Sequence, residues 1–292
     1  MKKLLLSACV AAAAFWMNDA GAMNGSDIVC EAYSLGRSKE DVALLRCKKF
    51  PNLEQIEIED EEAWVFIGNN KERFPKLKKI TGCINQEGLA YAFSVYEYDD
   101  EYSGDSACGM KRILQGMTEL PVVEEIYLRE WRLNSAGGLP ESIKNLKSLR
   151  VLKIENCRLW RLPESIGCLK NLEILDLGNF LGMSFDFFVL SGNSVDTLPK
   201  TIGNLKNLKE LNLAYCDLKE LPETIGNLEN LQILNLRGSS LQSLPESMKK
   251  LSKLKKLDLR DRNSLSLRST IRIPDFLWEM PSLEEVFVDE DV

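Results

Sequence analysis

Five times between residues 139 and 248 the chain repeats one pentapeptide. Leu139-Pro140-Glu141-Ser142-Ile143 returns as Leu162-Pro163-Glu164-Ser165-Ile166 and as Leu198-Pro199-Lys200-Thr201-Ile202. It returns again as Leu221-Pro222-Glu223-Thr224-Ile225 and Leu244-Pro245-Glu246-Ser247-Met248. Each copy leads into a segment of the form L-x-x-L-x-L, seen at Leu149-Leu152-Ile154, Leu172-Leu175-Leu177, Leu208-Leu211-Leu213, Leu231-Leu234-Leu236 and Leu254-Leu257-Leu259. Uninterrupted copies step by 23 residues. Alternating leucines in L-x-L turn one face of a strand into a core and leave the residues between them facing solvent. A unit this short cannot bury its leucines alone, so neighbouring units must stack. The proline after the first leucine fixes the start of the segment that returns on the far side.

This pattern resembles the leucine-rich repeat in its 23-residue L-P-x-x-I-G-N-L form. That form is shared by bacterial exported repeat proteins and by plant and animal scaffolds of the Ras-group and disease-resistance type. The resemblance implies an α/β solenoid, a horseshoe with a parallel concave sheet and short convex helices, serving interaction rather than catalysis. Leucine usage agrees with a repeat concentrated in the second half: 15 of the 46 leucines fall in residues 1–146 and 31 in residues 147–292.

Strand segments beginning at Val123, Leu149, Leu172, Leu208, Leu231, Leu254 and Leu283 are spaced by 26, 23, 36, 23, 23 and 29 residues. Insertions of 3, 13 and 6 residues therefore emerge on one edge of the solenoid. Weaker copies precede the regular ones. Phe50-Pro51-Asn52-Leu53 leads to Ile56 and Ile58, Phe74-Pro75-Lys76-Leu77 leads to Ile80, and Leu120-Pro121-Val122-Val123 leads to Ile126 and Leu128. Leu77 and Val123 are 46 residues apart, twice 23, which predicts one degenerate unit between them. The expected organisation is an export signal over 1–22, a helical N-terminal cap over 23–50 opened by Ser38 and Asp41, degenerate repeats over 51–138, and regular repeats over 139–292 with the insertion at 180–192.

Residues 1–22 read as an export signal, with Lys2 and Lys3 before an apolar run from Leu4 to Met17 and a small-x-small site at Ala20-Gly21-Ala22. A rival reading takes Leu6-Ser7-Ala8-Cys9 as a lipidation site. Cleavage removes two lysines and one aspartate, taking the formal charge from -7 to -8. The expected location is periplasmic or secreted, with no membrane span in the mature chain. Export permits disulfides. Cys30, Cys47, Cys83 and Cys108 lie before the regular repeats, and proximity favours Cys30–Cys47 and Cys83–Cys108 over the other pairings, with buried free thiols as the alternative.

The chain has no histidine. That excludes Ser-His-Asp and Cys-His catalysis, His-ligated zinc and an imidazole pH switch. An excess of acidic residues argues against nucleic acid, which needs clustered cations. No nucleotide-binding loop, G-x-S-x-G or metalloprotease motif is present, so no cofactor, metal or catalytic residue is expected. The acidic runs Glu57 to Glu62 and Glu97 to Asp105 lack the glycine spacing of a calcium loop and read as solvated loops. Cys157 and Cys216 fill the slot after L-x-L-x-x that this repeat normally gives to asparagine. Another repeat supplies Asn193 there only after its insertion. Stacking places these two cysteines about 10 Å apart, beyond the reach of about 7 Å that a disulfide allows.

What remains is a surface. The residues between the inward leucines form one column of Tyr127, Lys153, Asp176, Asn212, Asn235, Asp258 and Phe287, and a second that includes Arg129, Glu155, Arg237 and Arg260. Aromatic, amide and charged residues together suit a protein partner of unknown identity, with Tyr127, Tyr215, Arg237 and Arg260 as anchors because aromatics and arginine dominate interface energetics. The insertion adds Phe185, Phe187 and Phe188 among eight apolar residues in 180–192; either it folds back on the solenoid edge or it meets the partner. The expected function is an exported, non-enzymatic protein-interaction module. A surface adhesin that binds glycan is the alternative, and a hydrolase using carboxylates alone would need a paired-carboxylate cleft that the repeats do not offer.

Overall fold

The computed structural model describes residues 77–83, 122–129, 138–179, 192–260 and 271–289, residues 75 and 133, and the strand segments Lys3–Leu6 and Gln55–Ile58. Ten parallel strands form one open sheet in strict sequence order: β1 (Lys3–Leu6), β2 (Gln55–Ile58), β3 (Lys79–Cys83), β4 (Glu125–Arg129), β5 (Val151–Glu155), β6 (Ile174–Asp176), β7 (Glu210–Asn212), β8 (Ile233–Asn235), β9 (Lys256–Asp258) and β10 (Glu285–Phe287). The register aligns the central apolar residue of each repeat, Ile56, Ile80, Ile126, Leu152, Leu175, Leu211, Leu234, Leu257 and Val286. From Ile80 to Leu257 these side chains are at most 1% exposed, and they join the other repeat leucines in one core. Among the described residues burial loosens at β10, with Ile273, Leu283 and Val288 partly covered.

Among the described residues the convex segments are five-residue 3-10 turns rather than α-helices, at Glu141–Asn145, Glu164–Cys168, Lys200–Asn204, Glu223–Asn227, Glu246–Lys250 and Asp275–Glu279. Each starts behind an extended proline whose carbonyl accepts from the amide three residues on, as in Ile225 N–H to Pro222 O at 2.9 Å. So short a run closes i to i+3 bonds and stops before an α-helix can nucleate. Successive turns stack tightly. A Cβ at Gly167, Gly203 or Gly226 would lie 2.4, 2.3 or 2.1 Å from the backbone oxygen of Thr201, Thr224 or Ser247 in the next turn. That contact is the reason for the glycine in I-G-N and for the small hydroxyl residue opposite it.

Three expectations meet the structure here. The degenerate copies at Ile56–Ile58 and Ile80 do become β2 and β3. β3 pairs directly with β4, Lys79 against Glu125 through Cys83 against Arg129, so no strand lies between them; the extra unit expected between Leu77 and Val123 falls outside the described residues. The length of that connection gives the chain separation but not its path. Lys3–Leu6, inside the expected export signal, forms the first strand and pairs with β2. The N-terminal cap over 23–50 lies outside the described residues, as do Cys30, Cys47 and Cys108. Cys83 ends β3, and Cys157, Cys168 and Cys216 are free thiols.

Candidate functional site

The sheet register builds the concave face. Tyr127, Lys153, Asp176, Asn212, Asn235, Asp258 and Phe287 stand side by side on adjacent strands, as their alternation requires. Four members of this column are occupied with holding the backbone. The side-chain oxygens of Asp176, Asn212, Asn235 and Asp258 accept from the amides of Gly178, Ala214, Arg237 and Arg260, two residues on, at 3.0 to 3.2 Å. Each closes an Asx turn that ends its strand. Asn212 Nδ2 also donates to Asp176 Oδ1 at 2.8 Å. Burial pushes the Asp176 carboxyl above its ordinary value, against the hydrogen bond from Gly178 and the Lys153 cation. The middle of the concave face is therefore a strand-terminating device, although it reads in sequence as a binding column.

Two clusters lie on either side of it. At the N-terminal side, Lys79 Nζ sits 4.4 Å and Lys153 Nζ 5.9 Å from the centre of the Tyr127 ring. The Tyr127 hydroxyl donates to Glu125 at 3.3 Å, and Lys79 pairs with Glu125 at 3.0 Å. Burial and the neighbouring Glu125 carboxylate raise the Tyr127 phenol. At the C-terminal side, the Arg237 guanidinium stacks on Tyr215 at 5.5 Å and the Arg260 guanidinium on Phe287 at 5.0 Å. Arg260 is also held by Asp258, with Nε at 2.9 Å from Oδ1 and Nη2 on Oδ2. Tyr215 adopts φ 60, and its ring leans over Gly238 of the next repeat. Gly238 itself has φ +68, and a Cβ there would meet Tyr215 Cδ1 at 2.5 Å. Only glycine fits that position without strain. Arg129 ends β4 in register with Glu155, apart from the C-terminal cluster.

Sequence reasoning missed a further column that the same alternation places on this face, and a charge ladder just before the strands. Glu125, Val151, Ile174, Glu210, Ile233, Lys256 and Glu285 share one register, with the Ile233 side chain 36% exposed. One residue earlier runs a charge ladder. Lys78 pairs with Glu124 at 3.5 Å, Arg150 and Lys209 both hold Glu173 at 2.7 and 2.6 Å, and Lys255 pairs with Glu284 at 2.9 Å. The hydrogen bonds from Arg150 and Lys209 bring the Glu173 carboxyl down to about 2. Glu124, Ser148, Arg150, Asn171, Glu173, Asn207 and Lys209 line a polar groove of about 530 Å³ on this edge. Its two carboxylates are balanced by two cations, Arg150 and Lys209.

The base of the 180–192 insertion is tied down. Asn193 Oδ1 accepts from Cys157 N–H and Leu159 N–H, both at 3.0 Å, and its Nδ2 donates to Ile154 O at 2.6 Å and Leu177 O at 2.9 Å. Asn179 closes the neck, accepting from Asn193 N–H at 2.5 Å and donating to Asn193 O and Tyr215 O. The thiols that fill the equivalent slot are buried, with Cys157 donating to Glu155 O and Cys216 to Leu177 O. Phe185, Phe187 and Phe188 lie outside the described residues. No group of three metal-ligating side chains and no helix long and apolar enough to cross a membrane occurs among the described residues.

Residues 191–290 match a family described as a leucine-rich repeat region. The fold is a leucine-rich repeat solenoid. The solenoid is similar to the plant peptide hormone receptor RGFR1 in complex with RGF2, at 23% identity and TM-score 0.51 over 81% of this chain and 32% of the receptor. It is similar to the Arabidopsis receptor kinase HAESA, solved with the peptide hormone IDA and the co-receptor SERK1, at 22% identity and TM-score 0.50 over 76% of this chain and 31% of the other. The leucine-rich repeat domain of the type III effector XopL gives 20% identity and TM-score 0.50, covering 89% of this chain and 73% of that domain. These likenesses concern the fold. The repeat protein spans about a third of the length of the two plant receptors. No curated protein matches its sequence.

Proposed function

We propose that this repeat protein is an exported, non-enzymatic interaction module that captures a protein partner on its concave face, with the apolar insertion at 180–192 as a second contact. The observation that carries the reading is the pairing of cations with aromatic rings at both sides of the concave sheet, around Tyr127 and around Tyr215 and Phe287. Large aromatic and arginine side chains on a preformed surface are what interface energetics favour. The plant receptors with this fold were solved with peptide hormones, which supports a proteinaceous ligand. Glycan binding is less well supported, because sugars stack on open ring faces and Tyr127 and Tyr215 each carry a cation over the ring.

Export rests on Lys2, Lys3 and the apolar run behind them. Cleavage after residue 22 would remove β1 and leave β2 as the sheet edge. Fractionation of cells expressing a tagged chain, followed by crosslinking, tests both parts. Processed protein outside the cytoplasm, crosslinked to a discrete partner by the wild type and weakly by the 180–192 deletion or by Y215A/F287A, is the expected result. Unprocessed cytoplasmic protein overturns export, and capture unaffected by all three changes overturns the assignment of the surface.

A further inference from the structure

Arg237 stands apart from the other concave cations. Lys79, Lys256 and Arg260 each have a carboxylate within 3.0 Å, and Lys153 has Asp176 at 3.9 Å. Among the described residues Arg237 has none, and its guanidinium meets only the Tyr215 ring. Its Nε is enclosed with no hydrogen-bond partner, so the terminal amines are the groups that a ligand can meet. A cation that no carboxylate of the described residues neutralises leaves a place for an anion that arrives with a ligand.

The neighbourhood is built to receive one. Arg260 stands on the next strand, linked through the Gly238 N–H to Arg260 O bond at 2.7 Å, and its own charge is matched by Asp258. Tyr215 on one side and Phe287 on the other flank the two guanidinium groups, with Phe287 38% exposed. The Tyr215 ring lies 5.5 Å from the Arg237 guanidinium carbon. An arginine fork binds a planar carboxylate through two parallel hydrogen bonds. The site lies over β7 to β10, just beyond the ends of β7, β8 and β9.

We propose that Arg237 is the receptor for an Asp or Glu side chain carried by an extended acidic segment of the protein partner, lying across β7 to β10 between Tyr215 and Phe287. This rests on the reading of the concave face as a protein-binding surface and assigns the chemistry of the bound segment. The net charge of -7 opposes such a segment at long range, so recognition is local, made by desolvated contact rather than by steering.

The test is selection of a random dodecapeptide display library on the full chain. Enriched peptides should share an acidic residue at a fixed position. Arg237→Gln should weaken their binding about tenfold, and Asp→Asn or Glu→Gln in the peptide should cost a similar factor. The two changes together should cost little more than either alone. Arg237→Lys, which keeps the charge and loses the fork, should fall between. Thermal melting of both variants shows whether the solenoid is intact; if Arg237→Gln unfolds it, the peptide substitution and Arg237→Lys carry the test. Enriched peptides without an acidic residue, or acidic ones that bind Arg237→Gln as well as wild type, overturn the assignment and leave the interaction surface standing. No enrichment at all overturns both.

Discussion

The repeat that carries β6 and the repeats that carry β7 and β8 follow one 23-residue plan, yet only the first is interrupted. In the uninterrupted repeats the turn after the strand runs directly onward, and the slot behind it holds Cys216 or Ser239. In the interrupted one, an insertion intervenes and the slot is filled by Asn193, 2% exposed and bonded to four backbone groups of its own and the preceding repeat. A thiol suffices where the chain itself holds the turn. Where an insertion pulls the ends apart, an amide that accepts twice and donates twice restores the connection. The solenoid thus confines the disturbance to one edge, and strand register passes from β5 through β6 to β7 unchanged.

The largest effect should come from removing that amide. Asn193→Ala leaves two buried N–H groups and two carbonyls without partners and should cost about 3 kcal/mol. Cys216→Ala removes one weak thiol bond and a sulfur's volume and should cost about 1 kcal/mol. Chemical denaturation of the two variants gives the ratio. Equal losses would break the comparison and show that the insertion places no special demand on its neck.

The convex side should not register the interruption. Gly167 faces Thr201 across the insertion and Gly226 faces Ser247 without one, and an added Cβ would lie 2.4 and 2.1 Å from the facing backbone oxygens. Gly167→Ala and Gly226→Ala should each cost about 2 kcal/mol by overpacking. Denaturation midpoints that differ sharply between them would show that the insertion has loosened the convex stack as well.

Much of this was readable beforehand because the period and the alternation are both geometric. Alternation at L-x-L gives the Tyr127 to Phe287 column residue by residue, and Asn193 is recognisable as the filler of its slot. Alternation also implies the column of Val151, Ile174 and Ile233, which was overlooked because the repeat draws attention to the residues between its leucines rather than before them. The roles of Asp176, Asn212, Asn235 and Asp258 were not readable, since an Asx turn depends on the backbone two residues on. The adjacency of β3 and β4 was hidden for a different reason. Forty-six residues of chain satisfy two periods numerically, while only hydrogen bonding tells which strands are neighbours.

A smaller effect separates the two kinds of repeat at the concave column itself, where β6 carries Asp176 and β7 and β8 carry Asn212 and Asn235. Asn at position 176 would keep the oxygen that accepts from Gly178 and remove a buried charge. Because burial raises the folded carboxyl above the value of 3.8 that it has when unfolded, wild-type stability from this group is fullest below that value and declines as pH rises through the folded one. Asp176→Asn should therefore be more stable than wild type at pH 7 by under about 1 kcal/mol, with the advantage shrinking as pH falls towards 4. Melting curves at the two pH values check the sign. A loss at pH 7 would mean that the carboxylate is needed by Lys153 or Asn212 more than burial penalises it.

Glu173, three residues earlier and next to the same strand, should respond in the opposite direction and most weakly. Arg150 from the preceding repeat and Lys209 from the following one draw its carboxyl from 4.5 down to about 2. A lowered value gives stability that is present above 4.5 and is lost as pH falls towards about 2. The two cations that hold Glu173 are about half exposed, so screening limits Glu173→Gln to a loss of no more than about 1 kcal/mol at pH 7. The loss should shrink further in 0.5 M salt, whereas the Asp176→Asn difference, set by burial, should persist. Glu173 also bridges the interrupted repeat to its regular neighbour, since Lys209 lies beyond the insertion. If Glu173→Gln and Lys209→Gln lower stability equally and not additively, that bridge acts as one unit across the insertion. Additive losses would mean that β6 and β7 are joined by their backbone ladder and by bonds such as Asn212 to Asp176 and Asn179 to Tyr215 O, with no coupled bridge.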